Sequence, residues 1–355
     1  MKILVYGAGV LGSVYAARLQ ANGHQVKILA RGERLAQIRE HGVVLCKSSC
    51  STLSVTRVET VEAFTPEDDY DLVIVLVRKN QVNDILPILA ANQRVPSFLF
   101  MVNNASGPAE YIRAVGRERV LLGFPGAGGT RKDHIVHYEI VNPLIQTTTI
   151  GELSGVETKR IDQIAEAFRE AGFPTDISKN MDAWNKTHVA LVSPIANAIY
   201  AAEGSNYRLA KTQDALILMV RSIQESLALL KKIGVPLTPF KFRVLPYLPE
   251  PLLVAGMKWA LDSRWAELVI TRHANAARDE MQALADEFRA LNTIQMPMPA
   301  TDQLYSFIRP TEESIPLNSH SLQINWDGLV RFLLGLGLSL FALRGIGKNL
   351  RRKRK

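Results

Sequence analysis

The sequence predicts a two-part chain: an α/β, doubly wound N-terminal domain followed by an all-α C-terminal domain. Three observations predict it. Over roughly the first 150 residues, short continuous apolar runs alternate with helical spacing, the pattern of a parallel sheet covered on both faces. The first apolar run ends in Gly7-Ala8-Gly9-Val10-Leu11-Gly12, a G-x-G-x-x-G turn in the strand-to-helix setting of a Rossmann-type unit. After about residue 178 the strand signals stop and long helical patterns remain.

Taken in order, residues 2–6 read as a strand. Residues 10–22 have helical spacing, with Leu11, Val14, Tyr15 and Leu19 on one face, stopped by Asn22-Gly23. Residues 25–30 form a second strand and 34–40 a helix ended by His41-Gly42. The runs at 71–77 and 97–102 are apolar throughout, as buried parallel strands are. Residues 181–202, 211–233 and 267–291 read as long helices, with a proline-rich irregular connection at 236–251. The expected organisation is a Rossmann-type domain over 1–178, a second, helical domain over 179–310, a linker over 311–326, and an apolar helix with a polybasic tail over 327–355.

Composition narrows the function classes. The 355 residues are 47% hydrophobic and 21% charged, ordinary for a globular chain. The net charge is +8, but Arg344, Lys348, Arg351, Arg352, Lys353, Arg354 and Lys355 carry seven of it without an acid among them. The body is thus nearly neutral, which argues against a nucleic-acid partner. Cys46 and Cys50 match no zinc or redox spacing and are too few for a disulfide framework. No secretory signal opens the sequence, so a reducing cytoplasm is expected. No metal is expected either: Asp133, His134 and His137 fall in an alternating strand pattern and read as surface residues.

The glycine turn carries the first piece of chemistry. Gly7 permits the tight turn, Gly9 lets the backbone approach a pyrophosphate, and Gly12 lets helix and strand pack closely. Ala8, Val10 and Leu11 complete the loop and the helix start, whose N–H groups and dipole suit phosphate. At the end of the second strand stands Arg31. Its guanidinium suits the 2′-phosphate of NADP and cannot accept from a ribose hydroxyl. Glu33 follows closely, and an acid near that strand end is the NAD alternative.

With Arg31 and the glycine turn, the segments Val77-Arg78-Lys79-Asn80-Gln81, Val102-Asn103-Asn104 and Trp184-Asn185-Lys186 resemble the ketopantoate reductase (2-dehydropantoate 2-reductase) family over about residues 1–310. The resemblance implies a Rossmann domain plus a helical domain, NADPH as cofactor, and reduction of a 2-keto acid on the route to pantothenate. It makes Lys186 the catalytic lysine, which protonates the alkoxide left by hydride addition; a lysine ammonium is protonated at neutral pH and can donate. Asn103 becomes a contact to nicotinamide and substrate, and Arg78 stands where the family has a cofactor-side lysine, with Lys79 adjacent. Glu280 sits near the family's substrate-binding glutamate, although counting back from Pro299 selects Asp279 instead.

Two departures bear on the substrate. The family has asparagines four and eight residues after its catalytic lysine; here those positions are Ala190 and Pro194. Ser193 and Asn197, at i+7 and i+11 from Lys186, offer replacement polar groups on the same helix face. The implied reaction is therefore better supported than the substrate, and a bulkier or less polar keto acid stays open. Further alternatives are a membrane-associated NADP-binding scaffold or redox sensor without turnover and, for partners, a homodimer.

The tail has an uncharged core of twelve residues, 332–343, between Arg331 and Arg344. A spanning helix wants about 20. A span would also set the body opposite the basic end, away from NADPH. The expectation is peripheral membrane contact through 328–355, an interfacial helix with its basic end at anionic lipid; a span or a helix docked on the body are the alternatives.

Overall fold

The computed structural model describes residues 1–47, 52–329 and 332. Cys50 and most of the tail, 330–331 and 333–355, lie outside the described residues.

The chain opens with β1 (Lys2–Tyr6), α1 (Val10–Ala21), β2 (Gln25–Leu29) and α2 (Gly32–His41). There follow β3 (Val43–Lys47), β4 (Leu53–Thr56), β5 (Glu59–Val61), β6 (Leu72–Val75), α3 (Val82–Ala91), β7 (Phe98–Met101), α4 (Ala109–Val115) and β8 (Val120–Phe124). Next come β9 (Ala127–Lys132), β10 (Ile135–Ile140), β11 (Thr148–Glu152), α5 (Lys159–Glu170) and β12 (Thr175–Ile177). The main sheet has the order β12-β11-β8-β7-β6-β1-β2-β5. Its pairings are parallel except for β11 against β8. Both faces are covered, as the apolar runs required. Ile3 and Val5 enter one core with Val14, Tyr15 and Phe168, while Leu4 and Tyr6 enter another with Leu86, Phe100 and Tyr111. Strand order reverses at β1, between β6 and β2, and the carboxyl-end crevice there is where doubly wound sheets bind ligands.

A second sheet, β4-β3-β10-β9, was not foreseen as a unit. It joins β3 to β10 across about ninety intervening residues in parallel register, Ile135 facing Val44. Its apolar side, with Leu45, Val136 and Tyr138, packs on the same core as α1.

The helical part begins with α6 (Met181–Ala201), α7 (Asn206–Lys211), α8 (Gln213–Lys232) and α9 (Glu250–Leu261), continues through α10 (Arg264–Ala266) and α11 (Arg272–Ala276), and ends with α12 (Arg278–Ala290) and α13 (Pro299–Ser306). Asn180 caps α6 by accepting the Ala183 N–H at 2.9 Å. Helix α8 is the hub, its Leu216, Met219, Ile223 and Leu227 buried.

Three expectations are corrected here. The helix expected over 267–291 is broken: a π-helical stretch at 267–271 leads into α11, and Ala277 (φ −134°) separates α11 from α12. The break lets α12 start afresh with Asp279 and Glu280 in its first turn, where acids suit the dipole. The proline-rich connection also contains a helix start, since Pro251 stands in the first turn of α9, where its missing N–H costs nothing. Finally, the segment expected as a linker is strapped down. Ile315 N–H donates to the Ala201 carbonyl at 2.8 Å, and Ser321 and Leu322 donate to buried Asp214. Asn325 N–H donates to Glu250 at 2.9 Å.

Candidate active site

Sterics explain the glycine turn. Gly7 has φ +120°, and a Cβ on it would lie 2.5 Å from the Leu76 carbonyl oxygen at the end of β6. A Cβ on Gly12 would lie 1.8 Å from the Gly7 oxygen. Gly9 is different: nothing lies within 4 Å of its would-be Cβ. Helix α1 starts there with no side-chain cap and no acid in its first turn. Its first N–H groups therefore remain available to an anion, and the open space at Gly9 lets a phosphate approach the backbone of Ala8, Gly9, Val10 and Leu11.

Arg31 is exposed at the N-cap of α2, two residues past β2, with its guanidinium beside the Tyr6 phenol. Burial raises the Tyr6 pKa and Arg31 opposes that rise. The sequence reading missed Arg34, which lies under the turn and donates to the Ala8 carbonyl at 3.2 Å and to Ser13 Oγ at 2.9 Å.

The loops after β6 and β7 meet the start of α12. Arg78 does not face open solvent alone. It pairs with Asp279 at 3.2 Å and donates to the Ala276 carbonyl at 2.8 Å. The hydrogen bond from Asn80 and the charge of Arg78 hold the Asp279 carboxyl below its usual range, against a smaller cost of burial. The buried lysine is Lys79, whose Nζ lies 3.1 Å from Glu287 and stacks over Tyr111. Glu287 in turn accepts the Ala105 N–H at 3.2 Å and the Ser106 N–H at 3.3 Å. Of the two candidate acids, Glu280 is the buried one, 4% exposed, accepting the Lys79 N–H at 3.3 Å with His273 Nε2 at 3.7 Å.

Lys186 sits in the second turn of α6, its side chain 12% exposed and paired with Asp182 one turn earlier. It looks onto the loop after β7: a Cβ on Gly107 (φ +85°) would lie 3.5 Å from Lys186 Nζ and 3.2 Å from Asp182 Oδ1. Asn104 builds that loop by accepting the Gly107 N–H at 3.0 Å and donating to the Gly107 carbonyl at 2.9 Å. Among the described residues, Asn103 Oδ1, Asp182 Oδ1 and both amide atoms of Asn185 are buried without hydrogen-bond partners, a state that folded interiors rarely leave unanswered. The i−4 spacing of Asp182 from Lys186 was readable in the sequence.

The structure thus brings Lys186 to the Asn103 loop and Glu280 to the Lys79 loop of the same seam, with no ion pair between Lys186 and Glu280. It does not bring Ser193 and Asn197 to Lys186. They line a water-sized cavity of about 10 Å³ with Ser222, Ser226, Thr301 and Tyr305 inside the helical core. The reason is that α6 passes between α8 and α12 at that height, and Ala190 and Pro194 are buried there too. On another side of α6, the His188 ring packs against Trp184 (5.1 Å between centroids) and Phe124 (4.1 Å). Burial, with His273 nearby, pushes the His188 pKa down to about 3. Among the described residues no group of His, Cys, Asp and Glu could hold a metal ion.

Comparison with known proteins agrees with this geometry. Residues 3–155 match the family model described as ketopantoate reductase PanE/ApbA. The chain is 26% identical over 245 residues to a 2-dehydropantoate 2-reductase of Aquifex aeolicus, covering 66% of this chain and 74% of that protein. Among solved structures it resembles a 2-dehydropantoate 2-reductase of Geobacter metallireducens (TM-score 0.71, 18% identity, 87% of this chain and 99% of that one). It also resembles a D-mandelate dehydrogenase complex with NADH and anilino(oxo)acetate (TM-score 0.66, 16% identity, 87% and 97%); at these identities both share its fold. The glycine turn, the two-part fold and these matches make the chain similar to ketopantoate reductases, with the family match itself lying in residues 3–155.

Proposed function

We propose that the protein reduces a 2-keto acid to the 2-hydroxy acid with NADPH, and that the substrate is 2-dehydropantoate, converted to pantoate. The observation that carries this reading is Lys186, a largely buried ammonium paired with Asp182 and turned onto the loop that leaves the carboxyl end of β7. When bound, the nicotinamide supplies the hydride. The residues of this chain do the rest. Lys186 donates the proton that the new alkoxide oxygen needs, and Asp182 orients the ammonium. Asn103, with its Oδ1 unpaired, positions the reacting carbonyl side of the crevice, and Glu280 contributes to the substrate end. Arg31 binds the 2′-phosphate, with Arg78 near the cofactor edge. The ketopantoate reductase match over residues 3–155 and the similarity to 2-dehydropantoate 2-reductases support the reaction; the exact keto acid is this reading's finer part.

A second reading is favoured by one observation. Ala190 and Pro194 stand where the resemblance places substrate-binding asparagines, and both are buried in the helical core, so neither supplies a side-chain hydrogen bond to a substrate. The loss of those two amides favours a keto acid with a larger or less polar side chain. A screen of 2-keto acids followed by loss of NADPH absorbance tests both. Turnover of 2-dehydropantoate is expected. Turnover of other keto acids alone would establish the second reading, and NADPH binding without any turnover would leave a scaffold or sensor. The same proposal sets the body in the cytoplasm, with 328–355 making peripheral contact with anionic lipid. Among the described residues no helix is long and apolar enough to cross a membrane.

A further inference from the structure

Arg34 is a buried cation with no counter-charge, and the inference drawn from it rests on the reading that the glycine turn binds a dinucleotide. It stands in the first turn of α2 and is 8% exposed. Nε donates to the Ala8 carbonyl at 3.2 Å and Nη2 to Ser13 Oγ at 2.9 Å. Nη1 donates to the His134 carbonyl and to Gln37 Oε1, both at 3.3 Å. All four acceptors are neutral. Among the described residues no carboxylate pairs with Arg34; the neighbouring Glu33 accepts from Gln37 instead, at 2.8 Å. Arg131 nearby adds like charge. Burial and that charge push the guanidinium down to about 10, which leaves it protonated at neutral pH. A buried charge answered only by neutral acceptors is costly, so a fold that merely needed to tie α2 to α1 would be served as well by a neutral donor.

The peptide geometry says what the charge does. The Ala8–Gly9 bond is not among the cis peptides, and in a trans peptide the C=O and N–H point opposite ways. The Ala8 oxygen is drawn toward Arg34 and toward Ser13 Oγ, at 3.4 Å. The Gly9 N–H is thereby turned to the other side, at the residue whose Cβ direction is open.

We propose that Arg34 is a dinucleotide-positioning residue: it pins the Ala8 carbonyl so that the Gly9 N–H is presented to the cofactor's pyrophosphate, and its positive charge, held behind that peptide, acts on the pyrophosphate through the Ala8–Gly9 dipole. Arg31 and Arg34, three positions apart, then divide the work. Arg31 reads the 2′-phosphate, which distinguishes NADPH from NADH, and Arg34 acts on the part that the two share.

Fluorescence titration of the full-length protein with NADPH and with NADH tests this, because it reads Kd separately from the number of sites. A purely structural role would lower the fraction of protein able to bind and leave Kd alone. Arg34→Met is expected to raise Kd for both nucleotides by one common factor of about tenfold, because the Ala8 carbonyl loses the charged hydrogen bond that holds the Gly9 N–H in place. Arg34→Lys, which keeps the charge without the fork, is expected to lose less. Arg31→Ala is expected to separate the two nucleotides instead. If Arg34→Met does not fold, Arg34→Lys carries the test through the same common factor. Unchanged Kd values in a folded Arg34 variant would overturn the proposal, and so would a loss confined to NADPH. A wild-type protein that binds neither nucleotide would overturn the dinucleotide reading itself, an outcome separate from wild-type binding that Arg34 variants leave untouched.

Discussion

Lys186 and Arg31 are the residues whose substitution reads the chemistry most directly. Lys186 is paired with Asp182 on the surface of α6 that faces the Asn103 loop, outside the apolar core of the helices. Lys186→Met should therefore leave the fold and NADPH binding intact. Its turnover on the best keto acid should fall by about 10²–10⁴-fold, the usual share of a positioned acid. Near-wild-type turnover in this variant would take Lys186 out of the mechanism. Arg31 is exposed at the N-cap of α2, where its side chain makes no capping hydrogen bond, so its replacement is also clean. Arg31→Ala should cut the preference for NADPH over NADH by about tenfold or more, the value of a charged hydrogen bond. An unchanged ratio of the two Kd values would show that the 2′-phosphate is held elsewhere.

At the scale of elements, α6 matters most, because its three sides do different work. One side holds Asp182 and Lys186 at the seam, a second packs Trp184 and His188 on Phe124 at the end of β8, and the later turns enter the helical core. The His188 side makes the docking of α6 on the sheet sensitive to acid. Its folded pKa, about 3, lies below the ordinary histidine value because burial disfavours the charged ring and His273 repels it. A depressed folded pKa means that the unfolded chain takes up the proton first. The contribution is whole above about pH 6.5 and is lost as pH falls toward 3. Urea midpoints should thus drop between pH 7 and pH 5, and His188→Phe, which keeps the ring stack, should drop less. Equal drops in both proteins would mean that other groups set the acid response. The loops facing α6 explain why Gly107 is a glycine: its φ of +85° and the approach of Asp182 and Lys186 leave little room for a side chain.

For the whole molecule, the decisive feature is how far along the chain the folded body extends. The strap 311–326 buries Asp214 beneath hydrogen bonds from Ser319, Ser321 and Leu322, which outweigh the cost of burial and hold its pKa at about 2. Leu322 and Ile324 also cover the helical core. Removing 327–355 should leave a folded, active enzyme, whereas removing 311–355 should lower Tm sharply, because it uncovers Asp214 and the core beside α8. Equal Tm values for the two truncations would show that the strap adds nothing. Vesicle sedimentation tests the tail: the full chain should pellet with anionic lipid and be released by salt, and the 327–355 deletion should not pellet.

What the sequence determined by itself was local. Alternating apolar runs set the α/β part, because both faces of a parallel strand are buried, and 3.6-residue spacing set the helices. The glycine turn was readable as a local motif, because Gly12 packs on Gly7 five positions earlier, although the Leu76 carbonyl that crowds Gly7 comes from across the sheet. The tertiary structure decided the rest, since those matters depend on residues far apart in the chain. It chose Glu280 over Asp279 as the buried acid and Lys79 over Arg78 as the buried lysine, through contacts that join residues 201 positions apart. It also drew Ser193 and Asn197 into the helical core, away from Lys186. Helical spacing assigns a residue to a face, and only the packing of neighbouring elements determines whether that face at that height meets a crevice, a core or solvent.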